Sequence, residues 1–177
     1  MKVICISGKA GSGKDAFGNM LKEQIEKRGY GVLITHYGDL LKYMCKTLFD
    51  WNGEKDKAGR YLLQKVGTDI VRAKKPDFWV KYVSDILHMF SDQWDYVIIP
   101  DARFENEIDV LRNDPFFSVT TIRMERELAE DALTEEQKEH ASETELDDYP
   151  FDYYVYNKGS LDDLRDSSII TADSIIG

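Results

Sequence analysis

Cysteine is scarce in this chain of 177 residues. Only Cys5 and Cys45 occur, far apart and at no metal or redox spacing. That argues against a disulfide framework and against a thiolate metal site. Two reduced, buried thiols in a cytoplasmic protein are the expectation. Positive charge is also in deficit, with 23 Lys and Arg against 33 Asp and Glu, a formal net charge of −10. Sequence-independent binding to DNA or RNA needs cations that displace counterions, so a nucleic acid polymer is not an expected partner. Docking on an anionic membrane surface is disfavoured for the same reason. No apolar run approaches the ~20 residues of a membrane span, and the N-terminus lacks a signal-peptide pattern. Nor is there a Ser-His-Asp or Cys-His set for nucleophilic catalysis. What is present suffices for a packed core: 42% of residues are apolar and 12% aromatic. The length suits one domain, 1–177.

Strand and helix patterns alternate along the chain. Lys2 to Ser7 is a β-rich run that reads as a buried strand. A helix follows from Lys14, with Phe17, Met20, Leu21 and Ile25 inward and Gly29 as its stop. Residues 31–36 form a second strand. Asp39 is placed to cap a helix whose apolar face is Leu40, Leu41, Met44, Cys45, Leu48 and Phe49. Residues 60–74 are helical, and Pro76-Asp77 opens another helix carrying Trp79 and Val83. Residues 96–99 make a strand ended by Pro100, residues 117–122 another and 153–156 the last, before a helix opened by Ser160. Strands separated by helices imply an α/β fold with a parallel sheet covered on both faces.

Gly8-Lys9-Ala10-Gly11-Ser12-Gly13-Lys14 fits G-x-x-x-x-G-K, directly after a strand and before a helix. Glycines let the backbone curl so that several N–H groups point at one phosphate chain. The helix N-terminus adds its positive dipole end, and Lys14 a full charge at the β/γ-phosphates. Asp15 stands where a magnesium-binding Ser or Thr is usual. A carboxylate can take that metal through oxygen, so magnesium is expected with a modified inner shell. The plainer alternative is an acid favouring the helix dipole.

A second anion site is legible further on. Arg60, Gln64, Thr68 and Arg72 are spaced by four and share one helical stripe, with Gly67 beside it to admit a ligand. Two guanidinium groups with an amide and a hydroxyl between them suit a phosphate and a base edge. Asp101 lies at the carboxyl end of a strand, where ligands of parallel sheets bind, and is a candidate for a magnesium-bound water. Arg103 is a candidate clamp on a transferring phosphoryl group. A solvated polar face, a turn-forming Asp and a surface salt bridge are the bland alternatives.

Between Glu125 and Asp152 there are twelve acids, opposed by Arg126 and Lys138. The segment reads as an excursion from the core, either a solvated surface helix or a lid over residues 124–152.

Taken together, Gly-Ser-Gly-Lys-Asp (11–15), Leu-Leu-Gln-Lys-Val-Gly-Thr-Asp (62–69), Phe-Trp-Val-Lys (78–81) and Ile-Pro-Asp-Ala-Arg-Phe-Glu-Asn-Glu (99–107) resemble the deoxynucleoside monophosphate kinases of bacteriophages and their bacterial relatives. His140-Ala141-Ser142-Glu143 and Asn157-Lys158-Gly159-Ser160-Leu161 fit the same pattern. The resemblance implies a three-layer P-loop NTPase fold with an adenylate-kinase-like core of about five strands. ATP would lie on Gly8–Ala16, with adenine near Asn157, Lys158 and Gly159, and with Arg123 and Arg126 reaching in from the lid base. The acceptor would lie within a helical region, 38–92, around Asp39, Lys42, Arg60, Gln64, Thr68, Arg72, Trp79 and Arg103. Neither His140 nor Ser142 is expected to be catalytic; a capping box of Ser142 with Glu145 is the plainer reading.

The expected activity is transfer of the γ-phosphoryl group of ATP to a (deoxy)nucleoside monophosphate. Lys14, Arg103, Asp101 and Arg126 would be catalytic, and Asp15 and Asp101 would serve Mg2+. Rival readings are a kinase of another small phosphorylated metabolite, such as dephospho-coenzyme A or phosphomevalonate, and a non-catalytic nucleotide-binding protein. The oligomeric state is open, a homodimer included.

Overall fold

The computed structural model describes residues 1–126 and 133–177. The elements run β1 (Lys2–Ser7), α1 (Lys14–Glu26), β2 (Val32–Ile34), α2 (Gly38–Leu48) and α3 (Lys57–Gln64). A π-helical segment (Lys65–Arg72) follows, then α4 (Phe78–Met89), β3 (Tyr96–Ala102), α5 (Glu105–Arg112) and β4 (Ser118–Glu125). The chain ends with α6 (Glu135–Glu139), α7 (Ala141–Thr144), β5 (Tyr153–Tyr156) and α8 (Leu161–Ile176). The acidic excursion 124–152 includes 127–132, which lie outside the described residues.

The sheet has five strands in the order β2-β3-β1-β4-β5, and every pairing is parallel. Alternate residues of β1 serve opposite faces, as the two-residue strand period requires. Val3 and Cys5 join a core with Trp79, Val83, Leu87, Ile108 and Leu111 from α4 and α5. Ile4 and Ile6 join a second core with Phe17, Leu21, Ile25, Leu164 and Ala172 from α1 and α8. Helices therefore cover both faces of the sheet. Among the described residues, no helix is long and apolar enough to cross a membrane.

Four sequence expectations are corrected. First, β3 does not end at Pro100 but runs on to Ala102. Its register against β1 jumps between Cys5–Ile99 and Ser7–Ala102, so two residues of β3 oppose one of β1. This bulge sets Pro100, which has no N–H to donate, where the ladder is interrupted. Second, β4 extends past Ile122 and carries Arg123 within the sheet. Third, α2 begins at Gly38 without a side-chain cap from Asp39. The N–H groups of Tyr37 and Gly38 instead donate to the two carboxylate oxygens of Asp101, at 2.9 Å each. A carboxylate from the neighbouring strand β3 thus closes the helix start. Fourth, residues 60–74 are not one α-helix, because α3 passes into π-helical turns at Lys65. Such turns favour functional sites.

Candidate active site

The phosphate loop wraps as its glycines require. Gly13 lies at φ 95°, and a Cβ there would sit 2.7 Å from Nδ2 of Asn157. A Cβ on Gly8 would sit 2.4 Å from the carbonyl oxygen of Met124. Asn157 Nδ2 donates to the Ser12 carbonyl at 2.9 Å, so the end of β5 braces the loop from behind. Lys14 folds back on the loop, donating to the Gly8 carbonyl at 2.7 Å and the Lys9 carbonyl at 2.8 Å. Burial pushes the Lys14 ammonium down to about 7, and the Arg103 charge adds to that shift.

One cleft of 890 Å³ opens between this loop, the carboxyl ends of β1 and β3, and the helices after β2. It brings together Ala10, Gly11, Lys14, Asp15, Lys42, Arg60, Gln64, Thr68, Arg72, Trp79, Asp101, Arg103 and Arg126. The remaining candidates stand outside it. Gly8, Lys9, Ser12 and Gly13 form the back of the loop. Ala16 turns toward the core under α1. Lys158 and Gly159 are exposed, and the Gly159 N–H donates to Asn157 Oδ1 at 2.9 Å. Asp39 lines an adjoining cavity of 430 Å³ instead.

The guanidinium groups of the cleft differ in availability. Among the described residues, no carboxylate lies within ion-pair distance of Arg60, which faces the cleft. Arg72 is 8% exposed and paired with Glu107. It also donates to Asn106 Oδ1 at 2.9 Å and the Pro76 carbonyl at 3.1 Å, and stacks 3.7 Å over the Phe104 ring. Arg72 Nε, buried, has no hydrogen-bond partner among the described residues. Gly67 makes room for the protein: a Cβ there would lie 2.7 Å from Leu41 Cδ2 of α2, and its carbonyl accepts from Trp79 Nε1 at 3.1 Å. Lys42 donates to Asp39 at 2.9 Å, and Gln64 Nε2 reaches the Gln137 carbonyl at 3.4 Å.

Arg103 pairs with Glu143 of α7 and donates to the Ser142 carbonyl at 3.1 Å. Its backbone N–H donates to Glu107 Oε2 at 2.7 Å. Burial pushes the Glu107 carboxyl up to about 7, against the pull of Arg72. Arg126 donates to the Gly11 carbonyl at 3.2 Å. Arg123 is buried behind the loop, donating to Asp147 at 2.6 Å and Ser7 Oγ at 3.3 Å.

Asp15 meets His36 Nε2 at 3.5 Å, and His36 Nδ1 lies 3.3 Å from Asp39. The His36 contact holds the Asp15 carboxyl below its ordinary value and raises His36. The Asp15 carboxylate is 74% exposed at the cleft, a hard oxygen donor open to a cation. No group of three His, Cys, Asp or Glu residues suited to a metal occurs among the described residues.

His36, Glu107, Glu143 and Asp147 also belong to this network, and the sequence pattern assigns none of them a role. Glu107 stands in a quoted motif without a role. Glu143 closes another quoted motif, also without a role, and Asp147 is one of twelve acids that composition cannot single out. The expected Ser142–Glu145 capping box does not form. His140 caps α7, accepting from the Ser142 N–H at 3.2 Å.

A family model described as deoxynucleotide monophosphate kinase matches residues 40–168. The chain belongs to this family. The deoxynucleotide monophosphate kinase of Enterobacteria phage T4 is 33% identical over 115 residues, 64% of this chain and 44% of that protein. The chain thus spans less than half the length of that deoxynucleotide monophosphate kinase. Among solved structures, a sugar kinase from Janibacter sp. HTCC2649 matches 99% of this chain and 93% of its own, at a TM-score of 0.57 and 13% identity. An APS kinase from Mycobacterium tuberculosis in complex with AMPPNP and APS matches 98% of this chain and 97% of its own, at a TM-score of 0.53 and 14% identity. At such identities the likeness is one of fold, the five-stranded parallel sheet with helices on both faces.

Proposed function

We propose that this member of the deoxynucleotide monophosphate kinase family transfers the γ-phosphoryl group of ATP to a (deoxy)nucleoside monophosphate. One arrangement carries the reading. Lys14 and the phosphate loop stand on one side of a single cleft, and Arg60, Arg72 and Arg103 stand on the others. Two polyanions fit there end to end.

The acceptor oxygen belongs to a phosphate already ionised at neutral pH, so no general base is needed. A bond forms between that oxygen and the γ-phosphorus, and the bond from γ-phosphorus to the β–γ bridging oxygen breaks. The chain's task is alignment and charge neutralisation. Loop N–H groups and Lys14 hold the donor phosphates. Arg60 holds the acceptor phosphate, with Arg72 fixed beside it by Glu107. Arg103, between the two, and Arg126 neutralise the group in transit. Asp15 would hold a magnesium ion brought in with the nucleotide, and Asp101 would face that ion's waters. Such an ion would supply charge neutralisation at the phosphates. Residues 38–92 then form the acceptor region and 124–152 the lid. Cys5 and Cys45, both free and buried, suit a reducing cytoplasm.

The test is a panel of ribo- and deoxyribonucleoside monophosphates incubated with ATP and magnesium, with products separated by anion-exchange chromatography. A nucleoside diphosphate from at least one acceptor is expected. Failure with every common base overturns the reading.

A further inference from the structure

The phosphate loop is already engaged with an anion, and the anion is part of the chain. Glu143, on α7, has a side chain only 8% exposed. Its Oε2 accepts the Ala10 N–H of the loop at 3.1 Å, and its Oε1 pairs with Arg103. A main-chain N–H from the loop and a guanidinium from the end of β3 therefore converge on one carboxylate. These are the donor types that a phosphate group would draw on at this position.

The carboxylate does not rest there by chance of a mobile side chain. Lys9 Nζ donates to the Glu143 carbonyl and to Asp147, at 2.5 Å each. Arg123 holds the same Asp147 at 2.6 Å. Three cations, Lys9, Arg103 and Arg123, thus pin the segment from Glu143 to Asp147 over the loop.

We propose that Glu143 is an internal stand-in for phosphate, which holds the loop and Arg103 in the free protein and is exchanged for nucleotide phosphate on binding. The Ala10 N–H has one hydrogen to give, and a polyphosphate placed against an unmoved Glu143 would meet a like charge in a poorly solvated site. Occupation by nucleotide and retention of the carboxylate therefore exclude each other. Exchange frees Arg103 for the transferring group, so the arginine becomes available when donor phosphate is in place. It also makes Glu143 a determinant of affinity that opposes binding. The inference rests on the proposed function only in taking the loop to hold phosphate.

The experiment compares wild type, Glu143→Gln and Glu145→Gln by calorimetric titration with ATP and with inorganic tripolyphosphate, without acceptor. Melting of each free protein is measured alongside. Glu145 is a neighbouring lid acid that meets the Glu105 N–H and not the loop. Glutamine at 143 keeps the shape and loses the charge, so binding tightens by about three- to ten-fold while the free protein melts lower. Glu145→Gln leaves affinity unchanged. Binding that weakens or stays the same in Glu143→Gln, or tightens equally in Glu145→Gln, overturns the exchange and leaves the kinase reading standing. No binding of either ligand by wild type or Glu143→Gln overturns both.

Discussion

Arg72 and Glu107 form a buried ion pair that ties the π-helical segment to the first turn of α5. Their side chains are 9% and 4% exposed. The other oxygen of Glu107 accepts the N–H groups of Arg103, at 2.7 Å, and Phe104, at 3.2 Å. One carboxylate therefore sets the position of two arginines that face the same cleft from different elements.

Removing either partner alone strands the other in the core. At about pH 8, Glu107→Gln or Arg72→Met is expected to lower stability by about 3–5 kcal/mol. The joint change Arg72→Met with Glu107→Leu recovers only part of that loss, because the Arg103 and Phe104 N–H groups are left without their acceptor, and it does not restore phosphoryl transfer. Urea unfolding beside steady-state kinetics checks both parts. Single variants as stable as wild type would remove the pair from its structural role.

Asp101 has a structural duty that its place at a strand end does not disclose. Asp101→Ala leaves the Tyr37 and Gly38 N–H groups without their acceptor. A loss of about 1–3 kcal/mol follows, and hydrogen exchange speeds up at the start of α2. Asp101→Asn, which keeps one carbonyl oxygen, costs less. An exchange pattern unchanged at residues 37 and 38 would refute this.

Arg60 lines the cleft without an ion pair among the described residues, so its removal should touch substrate and not stability. For Arg60→Ala, a change in unfolding free energy within about 0.5 kcal/mol is expected. The acceptor KM rises by roughly 10- to 100-fold, the loss of one charge-assisted contact. An equal rise in the KM for ATP would assign Arg60 to the wrong side.

Asp147 sets a pH dependence. Burial pushes its carboxyl up, but the hydrogen bonds from Lys9 and Arg123 outweigh that and hold it below the ordinary 3.8. The folded chain binds this proton less readily than the unfolded chain, so stability from the contact is complete above the ordinary value. It is lost as pH falls through the depressed one. Melting temperatures of wild type and Asp147→Asn should differ at neutral pH and converge below about pH 3.8. A gap that persists in strong acid would mean that the charge is not its source.

Local pattern was enough to read much of this. The loop 8–14, the helix from Lys14, the cap at Ser160 and the alternation of strands with helices all rest on interactions within a few residues. Glycine freedom, side-chain period and capping are carried by sequence neighbours. The Arg60-Gln64-Thr68-Arg72 stripe was legible for the same reason, and all four residues line the cleft. That the stripe passes into π-helical turns was not, since packing of Gly67 against Leu41 involves another helix.

By itself, then, the amino-acid order determined the phosphate loop, the parallel α/β layout and the set of charged residues available to a site. Tertiary structure decided how each charge is used. Asp101 closes a helix 63 residues earlier in the chain, Arg72 is committed to Glu107 35 residues on, and Glu143 reaches back 133 residues to the loop. Charges attract without regard to spacing along the chain. Which cation meets which carboxylate is settled only when the folded backbone brings them within a few ångströms and removes the water between them.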